Sequence, residues 1–244
     1  MSEVTPEVIA QLAPTGTLRA AINMSNFLLV VRKTDKGDPV GPSPRMAAAI
    51  AEALNVPLEL IPFRAPMEIA KAAGTGVWDI GNIGAEPQRA AVMDFTSAYA
   101  EIESTYLVPA GSSIQTIADV DRPGNRISAP AGSAYGLWLE NNIKNAELKA
   151  VKGGGALQQF IDENMDALAG LRPQLITEVE KLPGARILDG QFTAVQQAVG
   201  INKGNPAALA WLQQFVEKAK ADGLVARLIE EYNVQGKLSV APPA

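Results

Sequence analysis

A glutamate and an arginine three residues apart, Glu86 and Arg89, end a segment whose other residues suit a strand and a tight turn. The segment reads Trp78-Asp79-Ile80-Gly81-Asn82-Ile83-Gly84-Ala85-Glu86-Pro87-Gln88-Arg89. Arginine presents a planar fork of N–H donors that matches a carboxylate or another small oxyanion. Backbone N–H groups at a short helix opened by Glu86-Pro87 can add to such a site. Proline is well placed there, because its missing N–H would have no partner in a first helical turn. The same residues equally fit a plain βα turn with a solvated arginine, and the rest of the chain has to decide between the two.

Strand-like and helix-like stretches alternate around this segment. Thr17–Ile22 is a short apolar run that ends at polar Asn23, Ser25 and Asn26. From Pro44 to Leu54 the apolar residues fall at 46, 47, 50, 51 and 54, the spacing of an amphipathic helix. A strand at Val56–Phe63, a helix at Pro66–Ala73 and a strand at Trp78–Ile83 follow. Beyond a β-rich stretch at 104–109 and a short helix at Ile117–Val120, a second series begins. It runs strand 125–129, helix 133–142, strand 148–151, helix 155–163, strand 165–169, helix 173–181, strand 185–188 and strand 194–201. A long helical pattern starts near Pro206 and breaks at Gly223; the tail from Ala241 is expected to fray. Repeated βα order calls for mainly parallel sheets with helices on their faces. Two such series predict two α/β lobes, 1–105 with 195–244 and the inserted 106–194. Open α/β sheets bind ligands beyond the carboxyl ends of their strands. The loops at 23–26, 81–89, 131–133 and 170–172 all lie at such ends.

Composition removes several classes of chemistry. The 244 residues include neither histidine nor cysteine. That excludes Ser-His-Asp and Cys-His catalysis and the usual zinc, copper, haem and iron–sulfur ligand sets. No Asp-x-Asp-x-Asp-Gly calcium loop occurs, and neither a metal nor a cofactor is expected. A net charge of −5 without a basic cluster argues against nucleic acid. No apolar run is long enough to span a bilayer. The N-terminus lacks the basic start and apolar core of a secretory signal, so the chain is either cytoplasmic or the product of signal removal. Gly153-Gly154-Gly155 is followed by no lysine and reads as a flexible turn rather than a phosphate loop. Trp78, Trp138 and Trp211 are expected in the core.

The order Gly-Thr-Leu-Arg, Val-Gly-Pro-Ser-Pro-Arg-Met-Ala, Trp-Asp-Ile-Gly, Glu-Pro-Gln-Arg-Ala and Met-Asp-Phe-Thr-Ser-Ala-Tyr resembles the family 3 solute-binding proteins. Ile117–Val120, Asn125–Ser128, Ala131–Ser133, Asp166–Gly170 and Ala221–Leu228 extend the likeness to about Gly16–Tyr232. It implies a bilobed type II periplasmic-binding-protein fold with two crossover hinge strands. It also implies a non-catalytic, monomeric, periplasmic receptor that closes on a small carboxylate-bearing solute and is read by an ABC transporter permease. On this resemblance Arg89 grips the carboxylate, helped by backbone groups of Asn82 and Gly84. Gly132 and Ser133 add donors from the second lobe. Phe27 forms an apolar wall, with Asn23 and Asn26 as polar candidates.

Two positions depart from the family pattern. Leu171 stands where an aspartate usually meets the ligand ammonium, and Arg172 follows it. A buried ammonium without a partner is costly, so a plain carboxylate, or a dicarboxylate held by Arg89 and Arg172, becomes an option. Glu86 stands where threonine or serine is common; it can pair with Arg89 in the open form or meet a ligand amine from a new direction. As plain structure, Arg172 opens a helix before Pro173 and Glu86 is a favourable acid in a first turn. A cyclohexadienyl-dehydratase-like lyase, with Glu86 as the cleft acid, and the sensing lobe of a signalling system are the alternatives.

Overall fold

Apolar runs of five or six residues form strands here, and stretches with apolar residues three and four apart form helices, as the two side-chain periods require. The computed structural model describes residues 3–152 and 154–244. In chain order the elements begin with α1 (Pro6–Leu12), β1 (Leu18–Asn23), β2 (Arg32–Lys33), β3 (Pro39–Val40), α2 (Pro42–Leu54) and β4 (Leu58–Phe63). Next come α3 (Pro66–Lys71), β5 (Ile80–Gly84), α4 (Pro87–Ala90), β6 (Met93–Val108), α5 (Ile117–Val120), β7 (Arg126–Pro130), α6 (Ala134–Asn142) and β8 (Glu147–Val151). The chain ends with α7 (Ala156–Asp162), β9 (Ala167–Leu171), α8 (Arg172–Val179), β10 (Arg186–Ile187), β11 (Thr193–Asn202), α9 (Pro206–Ala221), α10 (Leu224–Glu231) and β12 (Ser239–Val240). The α/β class expected from the sequence is the one observed.

Two compact units make up the chain: the part up to Glu101 together with Gln196–Ala244, and Ile102–Val195. In the first unit β4, β1 and β5 lie parallel in that order, and β11 runs antiparallel to β5 from Gln197↔Gly84 to Ile201↔Ile80. Ala21, Ile69, Trp78, Ile83 and Met93 form a buried cluster on this sheet. Helix α2 buries Met46, Ala47, Ile50, Ala51 and Leu54, the stripe its spacing predicts.

In the second unit the later half of β6 pairs antiparallel with β9, which is parallel to β7, itself parallel to β8. Strand β10 takes the other side of β6. Neighbouring residues face opposite cores. Ala167 and Ala169 join Tyr106, Ile127 and Leu139, whereas Leu168 joins Leu107, Phe160 and Leu175.

Each unit ties a pair of its parallel strands, β1 and β5 or β7 and β9, in the same way. Arg19 N–H donates to Asp79 Oδ2 at 2.9 Å, and Asp79 N–H returns a bond to Arg19 O. In the second unit Arg126 N–H donates to Asp166 Oδ2 at 2.8 Å, and Asp166 N–H returns to Arg126 O. An aspartate just ahead of β5 or β9 thus sets the register of the central parallel strands.

Some elements depart from the sequence expectation. Helix α1, capped by Thr5, and the β2–β3 ribbon lie in segments whose apolar pattern is too short to reveal them. Strand β6 starts at Met93, well ahead of the expected 104, because β6 also pairs with β11, and its Ala100 and Glu101 with β12. The tail does not fray at Ala241: this residue is 4% exposed and its N–H donates to Tyr99 O. Lys220 Nζ holds Pro242 O at 2.8 Å.

Candidate functional site

Parallel pairing collects the candidate residues of the first unit at one sheet edge. Asn23 stands level with Phe63, and Ile22 with Asn82, so β1, β4 and β5 release their chains on the same side. β1 ends at Asn23 and the loop after it carries Asn26 and Phe27; β5 ends at Gly84 and the turn after it carries Glu86 and Arg89. Asn23 Oδ1 accepts from Ser25 N–H and Oγ–H, and Asn26 Oδ1 accepts from Leu28 and Leu29 N–H. Both asparagines therefore shape their own loop, as short polar side chains do in turns. Phe27 is left 64% exposed, a large apolar ring with nothing of this loop over it.

Arg89 lies on the four-residue helix α4, and its side chain folds back over the turn. Nη1 donates to Gly84 O at 2.7 Å, and Nη2 lies 3.4 Å from Glu86 Oε2. The arginine side chain is 13% exposed and the glutamate 25%. Burial pushes the guanidinium pKa down from its ordinary value, and the Glu86 charge opposes that shift. The cation is thus largely desolvated, with one looser carboxylate contact. Backbone donors contribute less than the sequence suggests, because Arg89 and Ala90 N–H both close onto Glu86 O and Ala85 N–H bonds Gln196 O.

Asn82 points away from this turn. It is 1% exposed and donates through Nδ2 to Ser43 O at 3.0 Å, fastening β5 to the first turn of α2. Its side chain serves packing, so any contribution to binding falls to its backbone.

In the second unit the same logic places Gly132 and Ser133 after β7, and Leu171 and Arg172 at the end of β9 and just beyond it, on one sheet edge. Gly132 has φ +73°, a left-handed conformation that favours glycine, and a Cβ there would meet open space. Ser133 caps α6: its Oγ accepts from Gly136 N–H at 3.0 Å and donates to Pro130 O at 2.9 Å. Arg172 is engaged inside its own unit. Nε donates to Glu103 Oε2 at 2.5 Å, and Nη2 donates to Gly190 O at 2.5 Å and to Leu188 O at 3.4 Å. Glu103 is the partner of Arg172 that sequence reasoning misses. It lies 69 residues from Arg172, and only the β6–β9 register brings the two together.

Trp78 and Trp211 are buried, and Trp138 packs on Phe192, so the tryptophans serve the core as expected. Gly154 and Gly155 lead into α7, while Gly153 lies outside the described residues. Among the described residues no group of three or more acidic side chains is arranged to hold a metal ion. None of their helices is long and apolar enough to cross a membrane.

The profile of the bacterial extracellular solute-binding proteins, family 3, matches residues 18–235. The chain belongs to this family. No curated protein sequence matches it significantly. Solved structures share the fold of this family 3 protein. A protein described as a binding component of an ABC transporter from Wolinella succinogenes, complexed with lysine, has a TM-score of 0.65 and 23% identity, covering 91% of this chain and 97% of its own. An amino-acid ABC transporter substrate-binding protein from Streptococcus pneumoniae, AbpA bound to L-arginine, gives 0.61 and 23% over 91% and 96%. A reconstructed ancestral amino-acid-binding protein, a precursor of cyclohexadienyl dehydratase, gives 0.64 and 22% over 92% and 98%. At these identities the likeness speaks for the fold of the family 3 protein.

Proposed function

We propose that this family 3 protein is the substrate-binding receptor of an ABC importer and takes a small carboxylate-bearing solute on Arg89. The observation that carries the reading is the state of that arginine: on a strand-end turn, 13% exposed, and held by one carbonyl and one carboxylate 3.4 Å away. A ligand carboxylate offers the guanidinium the paired, charge-assisted hydrogen bonds it lacks. Phe27 lies on the neighbouring loop of the same sheet edge and suits the apolar part of a solute. Gly132 and Ser133 are the proposed second-unit contacts. Arg172, already held by Glu103, serves its own unit instead. The family consists mainly of receptors that perform no chemistry, and we assign none here; a periplasmic location goes with this role.

In this reading the ligand-bound receptor is a closed form. Contacts that both units make to one solute exist only there, so binding shifts the population toward closure. A thermal-shift panel of amino acids, dicarboxylates, aromatic acids and opines tests the proposal. A solute at a hundred times its Kd raises stability by about 2.7 kcal/mol. Arg89→Ala should abolish that shift, and a shift that survives the substitution refutes the assignment. Compaction in solution scattering on saturation is the companion expectation.

A further inference from the structure

Glu86 and Arg89 form a pair whose charges cancel, the arginine side chain 13% and the glutamate side chain 25% exposed. The contact is single, Nη2 to Oε2 at 3.4 Å, longer than the 2.7–2.9 Å or so of a charge-assisted hydrogen bond. Glu86 is also the charge that acts on the buried guanidinium. A plain carboxylate arriving at Arg89 would set a second anion beside Glu86 and leave the turn with net negative charge. A solute that carries a cation next to its carboxylate restores the balance, because its cation replaces Arg89 as the partner of Glu86.

We infer that Glu86 is a specificity-determining residue that holds Arg89 in the free receptor and takes the ligand's ammonium group in the complex. The inference rests on the proposed role of Arg89 and adds a second subsite three residues away. The solute class it selects is zwitterionic, with amine and carboxylate on neighbouring atoms.

Isothermal titration of the whole chain with matched pairs tests it: L-glutamate against 2-hydroxyglutarate, L-leucine against 2-hydroxyisocaproate, and L-arginine against its 2-hydroxy analogue. In the wild-type protein the best amino acid should bind at least about 30-fold more tightly than its hydroxy analogue, the scale of one charged hydrogen bond. Glu86→Gln, similar in shape and neutral, should reduce that ratio to less than about threefold while circular dichroism stays unchanged. A wild-type protein that binds both members equally overturns the inference without any variant. A ratio that persists in Glu86→Gln overturns it while leaving Arg89 in place. Amino-acid binding that survives Arg89→Ala overturns the carboxylate assignment and the inference with it, as does the absence of binding by every probe.

Discussion

Asp79 and Asp166 perform the same task in the two units, and the structure separates what each is worth. The Asp79 side chain is 4% exposed and accepts from Arg19 N–H at 2.9 Å, Nε at 3.0 Å and Nη2 at 2.7 Å. Asp79→Ala leaves a backbone donor unpaired, at about 1–3 kcal/mol, and removes one partner of a buried ion pair, at about 3–5 kcal/mol. The two costs overlap, and Arg19 keeps its bond to Gly76 O with its side chain 19% exposed, so the net loss is about 3–4 kcal/mol. Asp166 is 40% exposed, accepts from Arg126 N–H at 2.8 Å and meets the Nε only at 4.0 Å. Asp166→Ala should cost about 1–1.5 kcal/mol, mostly from the backbone bond. Urea denaturation followed by circular dichroism and tryptophan fluorescence measures both losses. Equal losses, or a larger loss for Asp166→Ala, would refute the reasoning from burial and bond count.

Three further outcomes are expected. Ser133→Ala removes the cap of α6 and should lower stability by about 1 kcal/mol in thermal unfolding; an unchanged midpoint counts against the cap. Gly136→Ala reverses the usual gain of alanine in a helix, because the new Cβ would lie 2.3 Å from Pro130 O; a loss of about 1–3 kcal/mol in urea is expected. Burial works against the Asp121 carboxylate, but N–H groups of Ala146, Asn145 and Lys144 outweigh it and hold its pKa below 3.8. Stability from a lowered carboxylate pKa is present above the unfolded value and disappears as pH falls through the folded one. Acidification below 3.8 should therefore destabilise the wild-type protein more than Asp121→Asn, and parallel acid curves would refute this.

The legible part of this molecule is local. Helix α5 lies at Ile117–Val120 as read from the sequence, α2 buries its predicted stripe, and the break between α9 and α10 falls at Gly223. The nearness of Glu86 to Arg89 is also local, since Glu86 is the N-cap residue of α4 and Arg89 lies in its first turn. Tail and edge elements depend on distant partners. Ser239–Val240 and Ala241 are ordered by Ala100, Glu101 and Tyr99, more than a hundred residues away in the chain, and no nearby pattern announces that pairing.

From its residue types alone, the chain determines an α/β fold without histidine or cysteine chemistry, and a carboxylate-matching arginine on a strand-end turn. Side-chain period and turn chemistry are short-range properties, so they survive reading in one dimension. Only the tertiary structure decided how far that arginine is desolvated, that Asn82 turns inward to Ser43, and that Arg172 is taken by Glu103. Burial and the Asn82 contact follow from packing of distant segments, and the Arg172–Glu103 pair from the β6–β9 register, which is set by which faces are buried.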